Sequence, residues 1–552
     1  MKNLDPGSGP PGRTVWWWLA LGAVLVGAAL RLWQWRLGTT FFIDELAVLH
    51  NLAVRPPGQL LGVPLAEAQV APPLFLLVEK ACLLVFGPSE LSLRLPALLA
   101  SLAALGLLWA VARRVLDERL VPLALLTFAV GFTFVYYSNQ VKQYASDVAL
   151  TLLVLEVALR LRDAPPPAPR FWVAAALAGV VVPFYSQACV LVFAGCGAAL
   201  VLLAFLDAGR PRLRATAAVV GAWAVGSGAS LAAAQATLQP TTRAFMHFFW
   251  REGMLPLNAR LPVILAGDMA ERWANGLGWP HPTSLWVAGT LVGVVLLWRQ
   301  RRGVALLLLA PWLVGVVASA LQQFPLRMRL MDFLVPIMIL FLFVAFQEAV
   351  RWAGRRSRPL GRAVLALCAG PVLYSTTRHN LPPFCAEDAK TLYAQLARAR
   401  RPGDAVYAYY GAGQTLRWYG PRYGLGPASY RLGHCYRHLP GAERHYLAEA
   451  DAFRSRRVWL VMVHFDAYES QVLSAYLDSI GRRGSRFTVA RELPDEAVGF
   501  PTVYAQLYDL SDAKRAARFS AATFPLPPAP PRPADEICWS CYGPQVIANN
   551  QY

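Results

Sequence analysis

Residues 15–32 read VWWWLALGAVLVGAALRL, and this run decides the class of the fold. It has about the length that an α-helix needs to cross a bilayer, and it holds a single charged residue. Residues 215–234, 303–321 and 330–346 form runs of the same kind. Because lipid cannot hydrogen-bond to a peptide group, we expect each run to be a helix that satisfies its own backbone. The sequence therefore predicts a polytopic α-helical membrane protein.

The composition of the whole chain supports this class. Hydrophobic residues make up 56% of the chain and charged residues 15%, whereas soluble domains have roughly 45–50% and about 25%. Arg31 stands near the end of the first run and Arg36 follows it, without a small-residue cleavage site. We therefore interpret the run as a retained span and not as a signal peptide. We predict about eleven spans, at residues 15–35, 91–112, 119–137, 145–160, 171–184, 188–206, 214–235, 284–299, 303–321, 330–347 and 363–378.

The basic residues predict the orientation of these spans. With the N-terminus inside, the inner connections hold 19 Lys and Arg in 56 positions, and the outer connections hold 11 in 126. This asymmetry follows the positive-inside rule, provided that residues 72–86 lie at the membrane interface and do not cross. Topology then accounts for much of the net charge of +19, and no nucleic-acid partner is needed. We predict a multi-pass protein of the cell membrane with a cytoplasmic N-terminus.

The soluble part of the chain follows the last span. Residues 1–378 form the predicted transmembrane module, with a first outer loop at 36–90 and a long outer loop at 236–283. Alternating helix and strand patterns predict an extracytoplasmic α/β domain at 379–524. Residues 525–552 form a proline-rich tail with a Cys538–Cys541 pair at CxxC spacing, a weak signal for a metal or redox site. Cys385 and Cys435 could instead join these cysteines in disulfides if the tail faces an oxidising compartment.

An acidic pair, Asp44 and Glu45, stands just after the first span in the stretch FFIDE. A charge beside the membrane surface loses hydration and must be compensated. One interpretation is structural: Asp44 caps a helix, and Glu45 lies in its first turn. The other is chemical: a carboxylate at the outer surface acts as a general base toward a hydroxyl or an amine.

Further candidate residues lie at span ends or in loops predicted to open to the same face. Each has a structural interpretation, such as snorkelling or anchoring at the interface, beside the binding of a phosphate or a sugar. Paired tyrosines such as Tyr136 and Tyr137 are typical interface anchors, and a lone His247 is typical of a structural role. The candidate binding residues are Arg94, Lys142, Tyr144, Asp147, Arg243, Arg251, Arg327 and Arg329.

Taken together, these motifs resemble the GT-C glycosyltransferases, in the branch of the protein mannosyltransferases and the lipid A aminoarabinose transferase. The resemblance rests on the acidic pair, the Pro72-Pro73-Leu74 helix start, the segment from Gly87 to Pro96, the loop YYSNQVKQYASD at 136–147 and the FPLRMR stretch at 324–329. It covers residues 40–150 well and 320–340 weakly. Where the family has His or Lys before the two prolines, this chain has Val70-Ala71, so the need for a divalent metal stays open and no metal ligand is predicted.

The resemblance implies a membrane glycosyltransferase that uses a polyprenyl-phosphate-linked hexose or pentose. The sugar would pass to a lipid, glycan or protein acceptor on the outer face, with inversion. Asp44 matches the family's catalytic carboxylate and Glu45 its acidic neighbour, so the resemblance implies that both are catalytic residues. The arginines would neutralise the leaving phosphate. Two alternatives stay open: a polysaccharide ligase or polymerase centred on Arg243, His247 and Arg251, and a lipid-linked sugar transporter or flippase.

Overall fold

The computed structural model describes residues 14–163, 168–207, 209–378, 381–437, 439–490, 493 and 502–531. Cys538 and Cys541 lie outside the described residues. Helices dominate, and one sheet follows them. In chain order the helices are α1 Val15–Arg36, α2 Ile43–Val54, α3 Pro57–Gly62, α4 Pro73–Phe86, α5 Glu90–Leu93, α6 Leu95–Val115, α7 Val121–Val130, α8 Phe132–Tyr136, α9 Tyr144–Arg162, α10 Pro169–Val181, α11 Ala188–Asp207, α12 Gly209–Thr237, α13 Pro240–Phe249, α14 Leu261–Glu271, α15 Ser284–Gln300, α16 Arg302–Ala320, α17 Val335–Arg356, α18 Arg358–Arg378, α19 Ala389–Ala399, α20 Gly413–Tyr419, α21 Ala442–Asp451, α22 Ala467–Ile480 and α23 Ala513–Ala516.

Ten of the eleven predicted spans each overlap one main helix, and the span predicted at 119–137 is divided between α7 and α8. The polytopic helical class is confirmed. Within the described residues, six helices are long and apolar enough to cross a membrane, or seven if α7 and the following turns count as one span bent by 59°. Two shorter apolar segments, Pro169–Phe184 and Ser284–Gln300, also coincide with predicted spans. The predicted number of eleven crossings is therefore not confirmed.

The chain divides into two compact units. The first comprises Met1–Arg36, Arg94–Leu231 and Gly253–Pro382. Its helices approach one another closely where small residues allow it: a Cβ atom on Gly293 of α15 would lie 1.7 Å from the carbonyl oxygen of Phe341 in α17. Arg31, the single charged residue of the first run, is fully buried within α1. There it donates to Ser101 Oγ at 2.7 Å and to the Ala129 carbonyl at 2.9 Å, which compensates its charge.

The second unit comprises Leu37–Leu93, Ala232–Glu252 and Pro383–Tyr552. It therefore combines the first outer loop and part of the long loop with the C-terminal residues. The division of the chain at residue 378 stays a prediction. Cys435, in this unit, is disulfide-bonded.

The C-terminal part of this unit is an α/β sheet, as the strand and helix patterns predict. Its strands are β1 Ala405–Ala408, β2 Arg431–Leu432, β3 Arg457–Met462, β4 Arg482–Ala490 and β5 Thr502–Asp509. The spatial order is β2-β1-β3-β5-β4, with β1 parallel to β2 and β3, and β5 antiparallel to β3 and β4. Alternate strand residues pack against α21 and α22, and the buried side chains Leu460, Met462 and Leu473 lie in this core.

Candidate active site

The acidic pair begins α2. Phe42 is the N-cap residue in an extended conformation, Asp44 is the second helical residue and Glu45 the third. The carboxylate of Glu45 accepts a hydrogen bond from the Phe42 backbone N–H at 2.9 Å, which is the part of a capping box that the third helical residue supplies. The prediction that Asp44 caps this helix is therefore wrong, because the cap function belongs to Glu45. Glu45 is fully buried and Asp44 is half-buried.

The loop before this pair is fixed by the C-terminal part of the same unit. The Phe41 backbone N–H donates to Tyr419 Oη at 2.9 Å, and the Phe41 ring meets Trp418 edge-on at 5.7 Å between centroids. Thr40 Oγ1 donates to Asp388 Oδ1 at 3.3 Å. Phe41 is completely buried. These contacts hold the backbone on the N-terminal side of Asp44, which is a requirement for a precise reactive group.

Helix α4 brings another acid close to the pair. Glu79 is completely buried, and among the described residues neither of its carboxyl oxygens has a hydrogen-bond partner. Burial, together with the charge of Glu45, raises the pKa of Glu79 well above its ordinary value, so that its neutral form is favoured. The stretch predicted to lie at the membrane interface, residues 72–86, contains Glu79 and Lys80, and an interfacial helix would turn such residues toward water. Both side chains are buried instead, and Lys80 Nζ donates to the Leu52 carbonyl at 2.6 Å.

A second buried carboxyl lies in the same loop region. Glu67 has a left-handed backbone (φ 62°) and is almost completely buried. It accepts a hydrogen bond from Gln414 Nε2, and its other oxygen lies 3.6 Å from His50 Nδ1 and 3.9 Å from Arg417 Nη1. Burial raises the pKa of Glu67 to about 8, against the attraction of the half-exposed Arg417, which acts in the opposite direction. Desolvation outweighs attraction here because Arg417 is largely hydrated.

The N-terminal end of α5 carries an ion pair. Glu90 Oε1 lies 2.9 Å from Lys390 Nζ and 3.7 Å from Arg422 Nη1. Burial alone would raise the pKa of Glu90, but the hydrogen bond and charge of Lys390 prevail and lower it. Lys390 Nζ also donates to the Gly38 carbonyl at 2.8 Å. This pair therefore joins both ends of the first outer loop to α19.

In the first unit, two of the predicted binding residues meet. Arg329 Nε donates to Tyr144 Oη at 3.0 Å, and its guanidinium carbon lies 5.7 Å from the centre of the Tyr144 ring. Tyr137 packs edge-on against Tyr144 at 5.0 Å. The loop at 136–147 and the FPLRMR stretch, which are about 185 residues apart, are thus brought together.

Neighbouring charges surround this pair. Arg327 Nε lies 3.7 Å from Asp268 Oδ1 on α14, and burial raises the pKa of Asp268 to about 6 although Arg327 opposes the change. Arg272 is buried and lies 3.5 Å from Asp332 Oδ1, whose second oxygen accepts a hydrogen bond from Thr133. The sequence analysis did not select these additional residues. Asp332 could have been selected from the sequence, because an acid within a predicted span is by default a candidate functional residue.

The remaining candidates are spread more widely. Arg94 is fully buried at the N-cap of α6, so the interpretation that it snorkels to headgroups is wrong. Asp147 is buried in the first turn of α9 and accepts a hydrogen bond from Ser186 at 2.5 Å, whereas Lys142 is half-buried. In the second unit, Arg243 and Arg251 are both exposed. Arg243 donates to Gln235 at 2.6 Å, and Arg251 stacks on Phe248 at 4.4 Å.

The question of a metal can be tested on the described part of the chain. There, no three His, Cys, Asp or Glu side chains stand together in a way that could hold a metal ion. Val70 and Ala71, at the place where the family has a polar residue, offer no ligand atom in their side chains. We therefore assign no step to a metal.

Part of the chain is similar in sequence to a known family, and its fold is similar to solved structures. Residues 70–230 match the family described as dolichyl-phosphate-mannose-protein mannosyltransferase. No curated protein matches the sequence. Among solved structures, the Archaeoglobus fulgidus oligosaccharyltransferase in complex with Zn and sulfate is similar, with a TM-score of 0.44, 12% identity and coverage of 86% of this chain and 72% of that one.

ArnT from Cupriavidus metallidurans is similar in two states. Its apo structure gives a TM-score of 0.44 and its complex with undecaprenyl phosphate 0.46, each at 14% identity over 90% of this chain and 99% of that chain. The family match overlaps the stretch that carries most of the quoted motifs, 40–150, over residues 70–150 and continues to residue 230. It does not include Asp44 and Glu45. The predicted resemblance is confirmed at the level of the family match: residues 70–230 of this multi-pass membrane protein are similar to the dolichyl-phosphate-mannose-protein mannosyltransferase family.

Proposed function

We propose that this membrane glycosyltransferase transfers a sugar from a polyprenyl-phosphate carrier to an acceptor on the extracytoplasmic face, with Asp44 as the general base. The family match over 70–230 supports the transferase class. Asp44 would take the proton of an acceptor hydroxyl or amine while that atom attacks the anomeric carbon. The bond to the lipid phosphate breaks on the opposite side of the sugar, so the configuration inverts.

The observation that carries the proposal is the division of roles between two adjacent acids. Glu45 is buried and accepts the N-terminal hydrogen bond of α2. Asp44, one residue earlier, is half-buried, and it follows a loop fixed by Phe41 and Thr40. A carboxylate that need not maintain the helix and stands on a rigid backbone is suited to proton transfer.

The arginines supply the second requirement of this chemistry. A phosphate leaving group gains charge in the transition state, and guanidinium groups stabilise that charge best when they are already oriented. Arg329, fixed by Tyr144, is the best-supported of the predicted phosphate-binding residues, ahead of Arg327 and the exposed Arg243 and Arg251. The alternative of a ligase or polymerase centre in the long loop stays a prediction.

The orientation has independent support. Cys435 is disulfide-bonded, and disulfides persist in oxidising compartments. The basic residues of the predicted inner connections agree with a cytoplasmic N-terminus.

The test uses full-length protein in nanodiscs with undecaprenyl-phosphate-linked hexoses and pentoses supplied in turn, and a membrane extract as the source of acceptor. Asp44→Asn should lower transfer by about 10²–10⁴-fold, with undecaprenyl phosphate binding unchanged in native mass spectrometry. Glu45→Gln is the matched control, because an amide oxygen can accept the same hydrogen bond, and it should retain transfer. Wild-type turnover by Asp44→Asn would refute the role of Asp44.

A further inference from the structure

Residues with chemically active side chains follow all three parallel strands of the C-terminal sheet. Tyr409 and Tyr410 follow β1, residues 434–437 follow β2, and His464 follows β3. Because the strands are parallel, these residues lie at the same edge. In the order β2-β1-β3-β5-β4, the connection that follows β1 runs to β2 on one side of the sheet, whereas the connection that follows β3 runs to β4 on the opposite side. Ligands of open α/β sheets bind at the carboxyl edge where neighbouring connections diverge in this way.

His464 is oriented by a buried acid at this edge. Its Nδ1 lies 2.7 Å from Oε1 of Glu387, a residue that is 1% exposed. Among the described residues, Glu387 Oε2 has no hydrogen-bond partner, so the imidazole is the main polar neighbour of that carboxylate. A carboxylate at Nδ1 fixes the orientation of the imidazole ring and directs Nε2 away from the carboxylate, as is common for catalytic and metal-binding histidines.

The same histidine lies beside the loop that carries the acidic pair. The Phe42 and His464 rings meet edge-on at 5.9 Å. Asp388, next to Glu387 in the chain, accepts the hydrogen bond from Thr40 Oγ1. Within this unit, the carboxyl edge of the sheet therefore adjoins the residues that immediately precede Asp44.

The charges at the edge indicate what could bind there. Four acids lie in this region. Glu387, Glu449 and Glu469 are buried and hydrogen-bonded within the protein, whereas Asp466 is 31% exposed and lies 2.8 Å from Arg437, which also lies 2.7 Å from Glu469. Carboxylates only accept hydrogen bonds, and sugar hydroxyls donate them. An excess of acids disfavours phosphate and other anions.

Aromatic groups complete the surface. Glu449 accepts hydrogen bonds from Tyr407 Oη and Tyr436 Oη, each at 2.9 Å, and from His434. The Tyr436 ring is half-buried and stacks on His445 at 4.9 Å, and the side chain of His434 is 53% exposed. Rings held in place by a buried acid offer apolar faces to the C–H side of a sugar, while their polar atoms and those of Asp466 meet its hydroxyls.

We propose that the carboxyl edge of β1, β2 and β3 binds the saccharide part of a neutral acceptor and presents it to the loop that carries Asp44, with His464 as a positioning residue. This deepens the proposed function and rests on it for the identity of the bound sugar as acceptor. The binding of a neutral glycan to this edge is a separate property that can be measured without turnover.

The binding test applies purified full-length protein to an array of neutral, sulfated and sialylated oligosaccharides. Neutral glycans should bind, and His434→Ala and Asp466→Asn should each weaken their binding about tenfold or more. Asp466→Asn preserves the cap of α22, because an Asn side-chain oxygen can also accept from Glu469 N–H. Arg456→Ala, exposed at the amino end of β3, is the matched control and should bind as wild type. Preference for anionic glycans, or equal binding by all variants, would overturn the proposal.

The positioning role is tested with His464→Asn, since Asn tolerates the left-handed backbone of this residue (φ 48°) and the fold should be retained. With the neutral glycan that binds best as acceptor, this variant should raise the acceptor KM about tenfold and leave the donor KM unchanged. A tenfold fall in kcat with no change in the acceptor KM would contradict the positioning role and leave His464 a merely structural residue. Glycan binding without any transfer would overturn the proposed function and leave the saccharide site intact.

Discussion

Replacing Glu67 by Gln should stabilise the second unit, and the effect should grow as the pH rises. Glu67 is buried at a strained, left-handed position between Gln414, His50 and Arg417. Burial raises the pKa of its carboxyl from 4.5 to about 8, so the folded state favours the neutral acid whereas the unfolded chain ionises readily. Gln reproduces the neutral form and can still accept the hydrogen bond from Gln414.

The size of the effect follows from linkage. One pKa unit corresponds to about 1.4 kcal/mol, so the change in pKa amounts to roughly 5 kcal/mol above pH 8 and about 3 kcal/mol at pH 7. Because the folded-state pKa of this acid is raised, the wild-type unit loses stability as the pH increases from about 4.5 to 8. Below pH 4.5 both proteins carry a neutral side chain, and their stabilities should coincide.

Hydrogen–deuterium exchange with mass spectrometry measures this locally in the full-length protein. Peptides covering residues 62–70 and 413–418 should open less often in Glu67→Gln than in wild type at pH 8, and equally at pH 4.5. Glu252→Gln changes an exposed acid of the same unit and should alter stability by less than about 0.5 kcal/mol. A Glu67→Gln variant that is less stable at pH 8 would show that the ion pair with Arg417 outweighs desolvation.

Three further changes probe the packing of the second unit. Glu45→Ala removes the capping-box hydrogen bond and should cost about 1 kcal/mol in thermal unfolding, whereas Glu45→Gln should not. Gly411→Ala would place a Cβ 2.3 Å from a carbonyl oxygen of the loop after β3 and should cost about 1–3 kcal/mol, whereas Gly426→Ala meets open space and should be neutral in the same assay. Lys390→Met should destabilise by roughly 1–3 kcal/mol at pH 7, because it leaves Glu90 without its nearest cation. Since the folded-state pKa of that acid is lowered, the loss should shrink as the pH falls below about 4.5.

Much of the architecture could be predicted because it depends on local pattern. The run at 15–32 corresponds to α1 at 15–36, and the predicted span at 188–206 corresponds to α11 at 188–207. Length and apolarity determine such elements within a single segment. The number of crossings could not be predicted in the same way. Helices such as α9 and α18 carry charged residues and are not among the helices apolar enough to cross a membrane.

The residues around the candidate site could be predicted only in part. Asp44 could be selected because an acid beside a span is unusual. The residue that caps α2 could not, because it depends on where the helix begins: with Ile43 first, the third residue, Glu45, is the one that reaches the N-cap backbone. His464 and Glu387 are 77 residues apart, and nothing in their local sequence indicates that they pair. Glu79 gave a local signal, because an acid within an apolar helix is unusual. Periodicity shows which side of the helix carries the acid, but it does not show whether that side faces the protein interior or the membrane interface.

The second unit is assembled from three stretches of chain that are made at very different times. Glu90 contacts a lysine 300 residues later, and the Phe41 amide contacts a tyrosine 378 residues later. At about 5–20 residues per second, a ribosome needs roughly 15 to 60 s to supply the first of these partners. During that interval the first outer loop has left the ribosome with its future core uncovered. Biogenesis of this protein therefore includes a waiting period in which the Asp44 segment is open to proteases and holding chaperones, and truncations of the C-terminal residues should be degraded from the first loop inward.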